Sequence, residues 1–438
     1  MAGWVRVVVA VVAVGRAGAQ VGGELPGPRG LSGDVSVWPN VESWRNSDPW
    51  LGEHHGEIRE MRPRVVVVNF ANAIGMAAVR EHAEGVSRAL AESTRWHGFA
   101  DRDAPAFLRY EVVKYVDLRD DAAPNGAVAA GSAGAPAGER TDGNSSLFPR
   151  KAEASPEVVC DYAGLYTEEF ARLLGFSDPR EEGAYLDLHE LINAGYVHEL
   201  WMYLEHEGPW PALEVAELKQ RYDEGGRAVE GEFTPAGNGH DETMPWSGRT
   251  FRIAFFNPRR GVGCAMENFG HGLEWTATSG AVPYFSRAFR EFAELDLDAR
   301  FGLPFDSLYA VEADEEAVSY PEEGVMEVRV GGETHRAAPY VAIGGNVHFP
   351  PGARRHYDLE SPHAVMTTIE HYRLRDGEGG EDLATPFDAS RFAAYGGVAP
   401  DCMGPWLIYW RQCMPGLGNR CVDDEGAAMK NWWPFLFY

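Results

Sequence analysis

The chain has 438 residues and a formal net charge of −27, with 66 acidic residues against 39 basic ones. A surface this anionic repels phosphate backbones, so the charge excludes nucleic acid as a natural partner. Hydrophobic residues make up 45% of the chain and include thirteen Trp, which is enough to build a substantial core.

The N-terminal residues have the pattern of a secretory signal peptide. Arg6 provides a positive charge, Val7 to Val14 form a short apolar run, and Ala17-Gly18-Ala19 matches a cleavage site. The run is shorter than the ~20 residues that a membrane-spanning helix needs, and no later run is longer. We expect a signal peptide at 1–19, a secreted or periplasmic protein and no membrane span. Arg16 leaves an uncleaved anchor as the alternative.

The structured part of the chain is predicted to begin at residue 64. Residues 20–63 are rich in Gly and Pro and predict an extended or wrapping segment. The apolar run at 64–70 is typical of a strand buried on both faces. A helix is expected at 76–93 and a second strand at 109–116.

Residues 121–156 consist largely of Ala, Gly, Pro and Ser, without a periodic apolar pattern. This composition predicts a disordered insertion. Asn144-Ser145-Ser146 is formally a glycosylation sequon, although one match of so short a pattern carries little weight.

Helices and apolar strands then alternate. A helix capped by Asp161 is stopped by Gly175, and a second one at 184–194 precedes Gly195. Strands are expected at 196–203 and 250–257, with a long polar stretch between them. This alternation predicts an α/β fold class: a mainly parallel sheet with flanking helices.

The segment after residue 257 lies where ligands bind in such sheets, beyond the carboxyl end of a strand. Gly261 and Gly263 allow a sharp turn and resemble part of a phosphate-binding loop. The complete G-x-G-x-x-G pattern is absent, so nucleotide binding is not favoured.

Glu267, His271 and Glu274 follow at a spacing of i, i+4 and i+7, which places them on one face of a helix. Two carboxylates around an imidazole are ligands for one divalent metal, most readily zinc. Two alternatives remain: a solvated or ion-paired helix face, and paired carboxylates that act as acid and base without metal.

The same segment resembles a displaced zincin helix, H-E-x-x-H. Glu267 stands where the first His ligand would be, and Asn268 stands where the catalytic Glu would be. Because Asn cannot act as a general base, the resemblance does not imply peptidase activity by that mechanism.

The α/β core is expected to extend over 64–301, with a further helix at 284–297. The part at 302–438 should consist of short strands, including 325–330, and of loops packed on the core.

A second group of functional side chains lies in this part. We predict His348 as a further metal ligand, and Asp358 or His356 as the group that activates water. The alternative is a structural loop whose polar groups satisfy buried backbone.

Aromatic residues are concentrated near the end of the sequence. If exposed, they could stack on sugar rings; core packing is the alternative. The apolar segment 431–438 should dock against the body of the protein. The residues concerned are Trp406, Tyr409, Trp410, Trp432, Trp433, Phe435, Phe437 and Tyr438.

Of the five cysteines, Cys402, Cys413 and Cys421 lie close together, which predicts a disulfide among them in an oxidising compartment. The odd count leaves at least one thiol unpaired. Cys264 as a nucleophile paired with His271 is disfavoured, because the two residues lie about 10 Å apart along a helix axis.

Taken together, several motifs resemble a family of exported microbial proteins of uncharacterised function. The motifs lie within residues 185–438 and are E-L-W-M-Y, R-G-V-G, E-x-x-G-H-x-x-E, N-V-H-F-P-P and N-W-W. The resemblance implies that these motifs occur as a set, and it implies no activity.

Two hypotheses of function follow. The first is an exported metal-dependent hydrolase acting on a glycan or peptide, with metal at Glu267, His271, Glu274 and His348. The second is a non-catalytic extracellular protein that binds carbohydrate or an envelope component through exposed Trp and Tyr.

Overall fold

A computed structural model describes residues 27–45, 47–122, 143–151, 160–205, 213–239, 244–313, 315–360 and 365–438. The predicted signal peptide at 1–19 and most of the predicted insertion at 121–156 lie outside these residues.

The described residues contain thirteen strands and eight α-helices. The strands are β1 (Val37–Trp38), β2 (Glu60–Met61), β3 (Arg64–Asn69), β4 (Glu111–Asp117), β5 (Glu199–Tyr203), β6 (Val215–Tyr222), β7 (Ala228–Ala236), β8 (Phe251–Phe256), β9 (Val318–Ser319), β10 (Met326–Val330), β11 (Glu333–Ala337), β12 (Val365–Thr367) and β13 (Thr385–Phe387). The helices are α1 (Ser47–Glu53), α2 (Met76–Ser93), α3 (Glu168–Leu174), α4 (Leu188–Asn193), α5 (Val262–Thr278), α6 (Pro283–Phe292), α7 (Leu297–Phe301) and α8 (Gly404–Gln412). None of these helices combines the length and the apolar character needed to cross a bilayer.

Six strands form the main sheet, in the order β4-β3-β5-β8-β6-β7. The first four strands of this order run parallel, and β6 and β7 are antiparallel to their neighbours. The α/β fold class and the mainly parallel sheet are therefore confirmed.

The side chains of β3 show that the main sheet is buried on both faces. Val65 and Val67 contact a large apolar cluster that includes residues of α2, α5, α6 and α8. Val66 and Val68 contact a smaller cluster with residues of α3 and α4. Because successive side chains of a strand point to opposite faces, a continuous apolar run is the sequence of a strand covered twice.

The helix ends are set by local capping. Asp161, predicted to start a helix, caps a short 3₁₀ turn, and the side chain of Thr167 caps α3. Gly175 ends α3 with a φ of 65°, a left-handed conformation that glycine adopts without strain. Asp187 starts α4 with a capping box, so this helix is shorter than its predicted range.

The hairpin of β6 and β7 lies in the stretch that was predicted only as polar. Glu217 and Lys219 of β6 are fully buried, and Arg252 of β8 pairs with Glu217 at 2.6 Å. Charged residues in a sequence normally indicate an exposed segment. Here the buried charges of Glu217, Lys219 and Arg252 neutralise one another inside the sheet, so the strand cannot be recognised from hydropathy.

Residues 431–438 dock against the body, as expected. Lys219 donates a hydrogen bond to the backbone oxygen of Tyr438, whose hydroxyl lies 2.6 Å from Nδ1 of His55. The rings of Phe437 and Trp38 are 5.4 Å apart between centroids. The segment thus joins the N-terminal residues of the described chain.

The aromatic side chains near the end of the sequence are all buried in the large apolar cluster. The exposed Trp and Tyr surface that the binding hypothesis requires is therefore not formed by these residues, which serve core packing instead. They are Trp406, Tyr409, Trp410, Trp432, Trp433, Phe435, Phe437 and Tyr438.

Asn144, in the formal sequon, is also buried. Its amide nitrogen donates to the backbone oxygen of Glu205, and its side-chain oxygen accepts from the Glu205 backbone nitrogen at 2.7 Å. In the folded protein this amide is engaged and offers no exposed attachment point for a glycan.

Candidate functional site

Helix α5 begins directly after β8 and carries the predicted Glu267, His271 and Glu274. In this class of fold, ligands usually bind beyond the carboxyl ends of the parallel strands, beside the helix that follows. The segment is helical, as the spacing of the three residues requires.

The N-terminus of α5 is held by Asp401. Its carboxylate accepts hydrogen bonds from the backbone nitrogens of Gly261 at 2.9 Å and Gly263 at 2.8 Å. A Cβ atom at Gly263 would lie 1.8 Å from the backbone oxygen of Asp401, so only glycine permits this approach. The glycines that resemble a phosphate loop therefore receive a carboxylate of the chain itself.

A disulfide next to this contact joins Cys264 to Cys402. The prediction of a disulfide among Cys402, Cys413 and Cys421 is wrong, because Cys413 and Cys421 are free and buried. Sequence proximity gave no indication of Cys264 as the partner, since the two cysteines are 138 residues apart.

Three side chains converge beside α5. Nε2 of His271 lies 2.9 Å from Nε2 of His348, and Nε2 of His348 lies 3.3 Å from Oε1 of Glu267. Their side chains are 11–13% exposed, so the cluster is largely buried. The structure thus brings together three of the four predicted metal ligands.

The protonation of His348 follows from its contact with His356. Nε2 of His356 lies 3.1 Å from the backbone oxygen of Val311, which can only accept a hydrogen bond. Neutral His356 therefore carries its proton on Nε2 and accepts at Nδ1, which lies 2.9 Å from Nδ1 of His348. His348 then donates from Nδ1 and presents a lone pair at Nε2.

The protonation of His271 follows in the same way. Its Nδ1 lies 3.0 Å from Oε2 of Glu274, which accepts the proton of that nitrogen. Neutral His271 therefore presents a lone pair at Nε2. In these neutral tautomers two imidazole nitrogens and one carboxylate oxygen face one another, an arrangement that a proton or a metal cation would stabilise.

The electrostatic surroundings of His271 favour a proton in this position. Burial lowers the pKa of His271, but the hydrogen bond to Glu274 and the charges of nearby carboxylates outweigh burial and raise the pKa to about 9. Burial lowers the pKa of His356, as its neutral form requires. Burial raises the pKa of Glu267, but the hydrogen bond from His348 and the positive charges that His348 and His271 carry when protonated hold the pKa below its usual value.

Glu274 takes a different position from the predicted one. It is absent from the converging set, and its oxygens accept hydrogen bonds from His271, from the hydroxyl of Tyr309 at 3.0 Å and from the backbone nitrogen of Val347 at 3.0 Å. A carboxylate behind a histidine fixes the tautomer and the orientation of the imidazole. Glu274 is thus a positioning residue for His271.

The two residues predicted to activate water are also placed differently. Asp358 is buried and paired with Arg354, whose Nε lies 2.8 Å from its carboxylate. His356 contacts His348 and the Val311 backbone, so both of its ring nitrogens are engaged. Asp358 stabilises the loop, and His356 orients His348.

The converging atoms fit a metal. Ligand atoms about 2.1 Å from a tetrahedral zinc are about 3.4 Å apart. Nε2 of His348 lies at 2.9 Å and 3.3 Å from the other two ligand atoms, and all three lie within 4.8 Å of one another. The sulfurs of Cys264 and Cys402 also lie near Glu267, but they are bonded to each other and are not thiolates. Glu267, His271 and His348 are therefore the residues that could hold one.

A small cleft with a cavity volume of about 20 Å³ lies near the cluster, at the carboxyl end of β8. Glu214, which the sequence analysis did not single out, lines this cleft. Burial raises the pKa of Glu214 to about 7, and the charges of Glu267 and Glu274 contribute in the same direction. Glu214 and Tyr309 come from segments far from α5 in sequence and carry no motif that could have indicated them.

Comparisons of the chain with protein-family models, with curated proteins and with solved structures found no significant match. Fold and site geometry are therefore the basis for any statement of function.

Proposed function

We propose that this protein is an exported hydrolase that uses one divalent metal, most readily zinc, held by Glu267, His271 and His348. Two imidazoles and one carboxylate are a donor set of catalytic zinc sites, where a fourth position stays open for water or substrate. The same donors also bind iron(II), so metal analysis is part of the test.

The observation that carries the proposal is the arrangement of contacts around the two histidines. Glu274 and His356 each contact Nδ1 of one of these histidines, and both Nε2 atoms lie in the cluster with Glu267. A solvated helix face would need no such partners behind the ring. Partners of this type orient the ligands in metal sites.

Glu214 suits the part of the general base. A carboxyl group with a pKa near 7 can take a proton from water and return it to a leaving group. A metal bound nearby would lower the pKa of water and polarise the bond to be cleaved. Asp358 and His356 do not suit the role of general base, because Asp358 is paired with Arg354 and His356 contacts His348.

Metal content is the first test. Purified protein dialysed against zinc should hold about one equivalent by elemental analysis, and His271→Ala and His348→Ala should hold close to none. His54→Ala is the matched control, because His54 is a partly exposed histidine paired with Glu57 outside the cluster. Metal retained in both cluster variants, or bound by none of the proteins, would overturn the proposal.

Activity is the second test, with a panel of chromogenic esters, peptides and glycosides. Hydrolysis should depend on added metal and should fall in Glu214→Gln while the metal content stays at one equivalent. Hydrolysis that is insensitive to chelator would contradict the metal-dependent mechanism.

The second hypothesis, carbohydrate binding without catalysis, has no observation in its favour. The Trp and Tyr residues on which it rests are buried among other aromatic side chains.

A further inference from the structure

A second group of metal-binding atoms lies next to the histidine cluster. The sulfurs of Cys264 and Cys402 and one carboxylate oxygen of Glu267 are all within 4.8 Å of one another. Cys264 and Glu267 are three residues apart on α5 and therefore lie on the same face of the helix. In the structure the two sulfurs are joined as a disulfide. Breaking this bond would leave two thiols and a carboxylate close together.

The disulfide can be reached from solvent at one of its ends. Cys402 is an exposed residue, whereas Cys264 and the free cysteines of the described chain, Cys160, Cys413 and Cys421, are buried. The φ of Cys402 is 45°, a left-handed conformation that is unfavourable for a residue with a Cβ atom. Exposed disulfides are more readily reduced than buried ones. This disulfide is therefore open to reduction by a dithiol in solution.

The two cysteines are held near each other by contacts that do not involve the disulfide. The carboxylate of Asp401, next to one cysteine, accepts a hydrogen bond at 2.8 Å from the backbone nitrogen of Gly263, next to the other. A Cβ atom at Gly404 would lie 2.7 Å from Cα of Gly263, so the starts of α5 and α8 are in close contact. The Cα atoms of the two cysteines are 5.2 Å apart. Reduction would therefore leave both thiols near Glu267.

Two thiolates and one carboxylate are a suitable donor set for zinc and other divalent metals that bind sulfur. Sulfurs about 2.3 Å from a tetrahedral zinc are about 3.8 Å apart, a separation within the 4.8 Å that spans the three ligand atoms. Cys264 lies in the first turn of α5, where the positive end of the helix dipole favours negative charge. The carboxylates of Glu267 and Asp401 oppose a pair of free thiolates, and a divalent cation between the sulfurs would offset this repulsion.

We propose that reduction of the Cys264–Cys402 disulfide creates a thiolate site for one zinc-like divalent ion, with Glu267 as the third ligand. A dithiol supplies two electrons and two protons and becomes a disulfide itself. The metal then replaces the two thiol protons, which pass to solvent. Glu267 also belongs to the histidine cluster, so the redox state of the disulfide sets which residues hold the metal. The thiolate site does not depend on the proposed hydrolysis.

Cobalt(II) tests this site, because cobalt bound by thiolate has a strong charge-transfer band in the near ultraviolet that cobalt bound by imidazole and carboxylate lacks. With one equivalent of cobalt, the oxidised protein should lack this band. After reduction by a water-soluble phosphine and its removal under argon, the band should appear with the intensity of two cobalt–sulfur bonds, and the tryptophan fluorescence spectrum should be unchanged. The oxidised protein is the control for the buried thiols of Cys160, Cys413 and Cys421, because it contains them too.

Variants assign the band to its ligands. Reduced Cys264→Ser should lose the band; the reduced wild type lacks the disulfide as well, so the two proteins differ by one sulfur. Reduced Cys413→Ser, which removes a buried thiol outside the site, should keep the band. Reduced His271→Ala/His348→Ala should also keep it, whereas reduced Glu267→Gln should bind cobalt at least about 10-fold more weakly, the smallest effect expected even for a residue behind a ligand.

Three results would overturn the thiolate site: a reduced protein without the band, a band that persists in Cys264→Ser, or loss of the native fluorescence spectrum on reduction. The proposed function is judged separately, by the metal content of the oxidised protein. If the oxidised protein holds no zinc and reduced His271→Ala/His348→Ala shows the band, the proposed function fails and the thiolate site stands. Zinc in the oxidised protein without a band after reduction gives the opposite result.

Discussion

Removing the carboxylate of Asp401 should destabilise the protein, because Asp401 caps the helix that carries two of the cluster residues. Two short hydrogen bonds to Gly261 and Gly263 would be lost. Loss of an N-cap costs about 0.5–2 kcal/mol, and loss of a negative charge at a helix N-terminus costs about 0.3–1 kcal/mol. For Asp401→Ala we therefore expect a decrease of about 1–3 kcal/mol in the free energy of unfolding.

Urea denaturation followed by fluorescence measures this change. Asp401→Asn keeps one acceptor oxygen and should lose about half as much. Asp306→Ala removes a carboxylate that is 54% exposed, and it should change the free energy of unfolding by less than about 0.5 kcal/mol. If Asp401→Ala were as stable as Asp306→Ala, the cap would not be what holds α5 in place.

Four further predictions concern single residues. Gly263→Ala should lower the free energy of unfolding by more than about 2 kcal/mol, because its Cβ would meet the backbone of Asp401; a thermal midpoint equal to wild type would contradict the close approach. Glu274→Gln should leave the zinc stoichiometry unchanged and weaken zinc affinity by about 10- to 100-fold, measured by competition with a chelating dye; equal affinity would refute its positioning role. Trp432→Ala should cost about 3–5 kcal/mol in urea unfolding, since the side chain is fully buried, and a smaller loss would indicate an exposed indole. Burial raises the pKa of Asp296 to about 6, so the folded state binds this proton more tightly than the unfolded chain and loses stability as pH rises from about 4 to about 6; Asp296→Asn should flatten that part of the stability profile, and an unchanged profile would argue against the shift.

The sheet could be predicted because its parallel strands are apolar on both faces. The run at 64–70 and the run at 250–257 allow only a buried strand, and the helix at 76–93 has the same bounds in the structure. The β6–β7 hairpin could not be predicted in this way. Its buried Glu217 pairs with Arg252 of β8 and lies 3.8 Å from Lys219 of its own strand, contacts that local hydropathy does not report.

The candidate site was predictable to the extent that it is local. The spacing of Glu267 and His271 depends on one helix, and His348 stood out by the density of polar groups around it. The role of Glu274 was not predictable. A carboxylate on this face of the helix can either bind a metal or contact His271 three residues earlier, and the spacing is the same in both cases. Glu214 and Asp401 reach the site only through tertiary folding.

The docking of residues 431–438 has a consequence for the time at which the protein can fold. His55 and Tyr438 are hydrogen-bonded partners separated by 383 residues. A ribosome that adds about 5–20 residues per second needs about 20–80 s to make the chain between them. Throughout that interval Trp38 lacks the ring of Phe437 that packs against it, so this region of the nascent chain exposes apolar surface until residues 431–438 have been made.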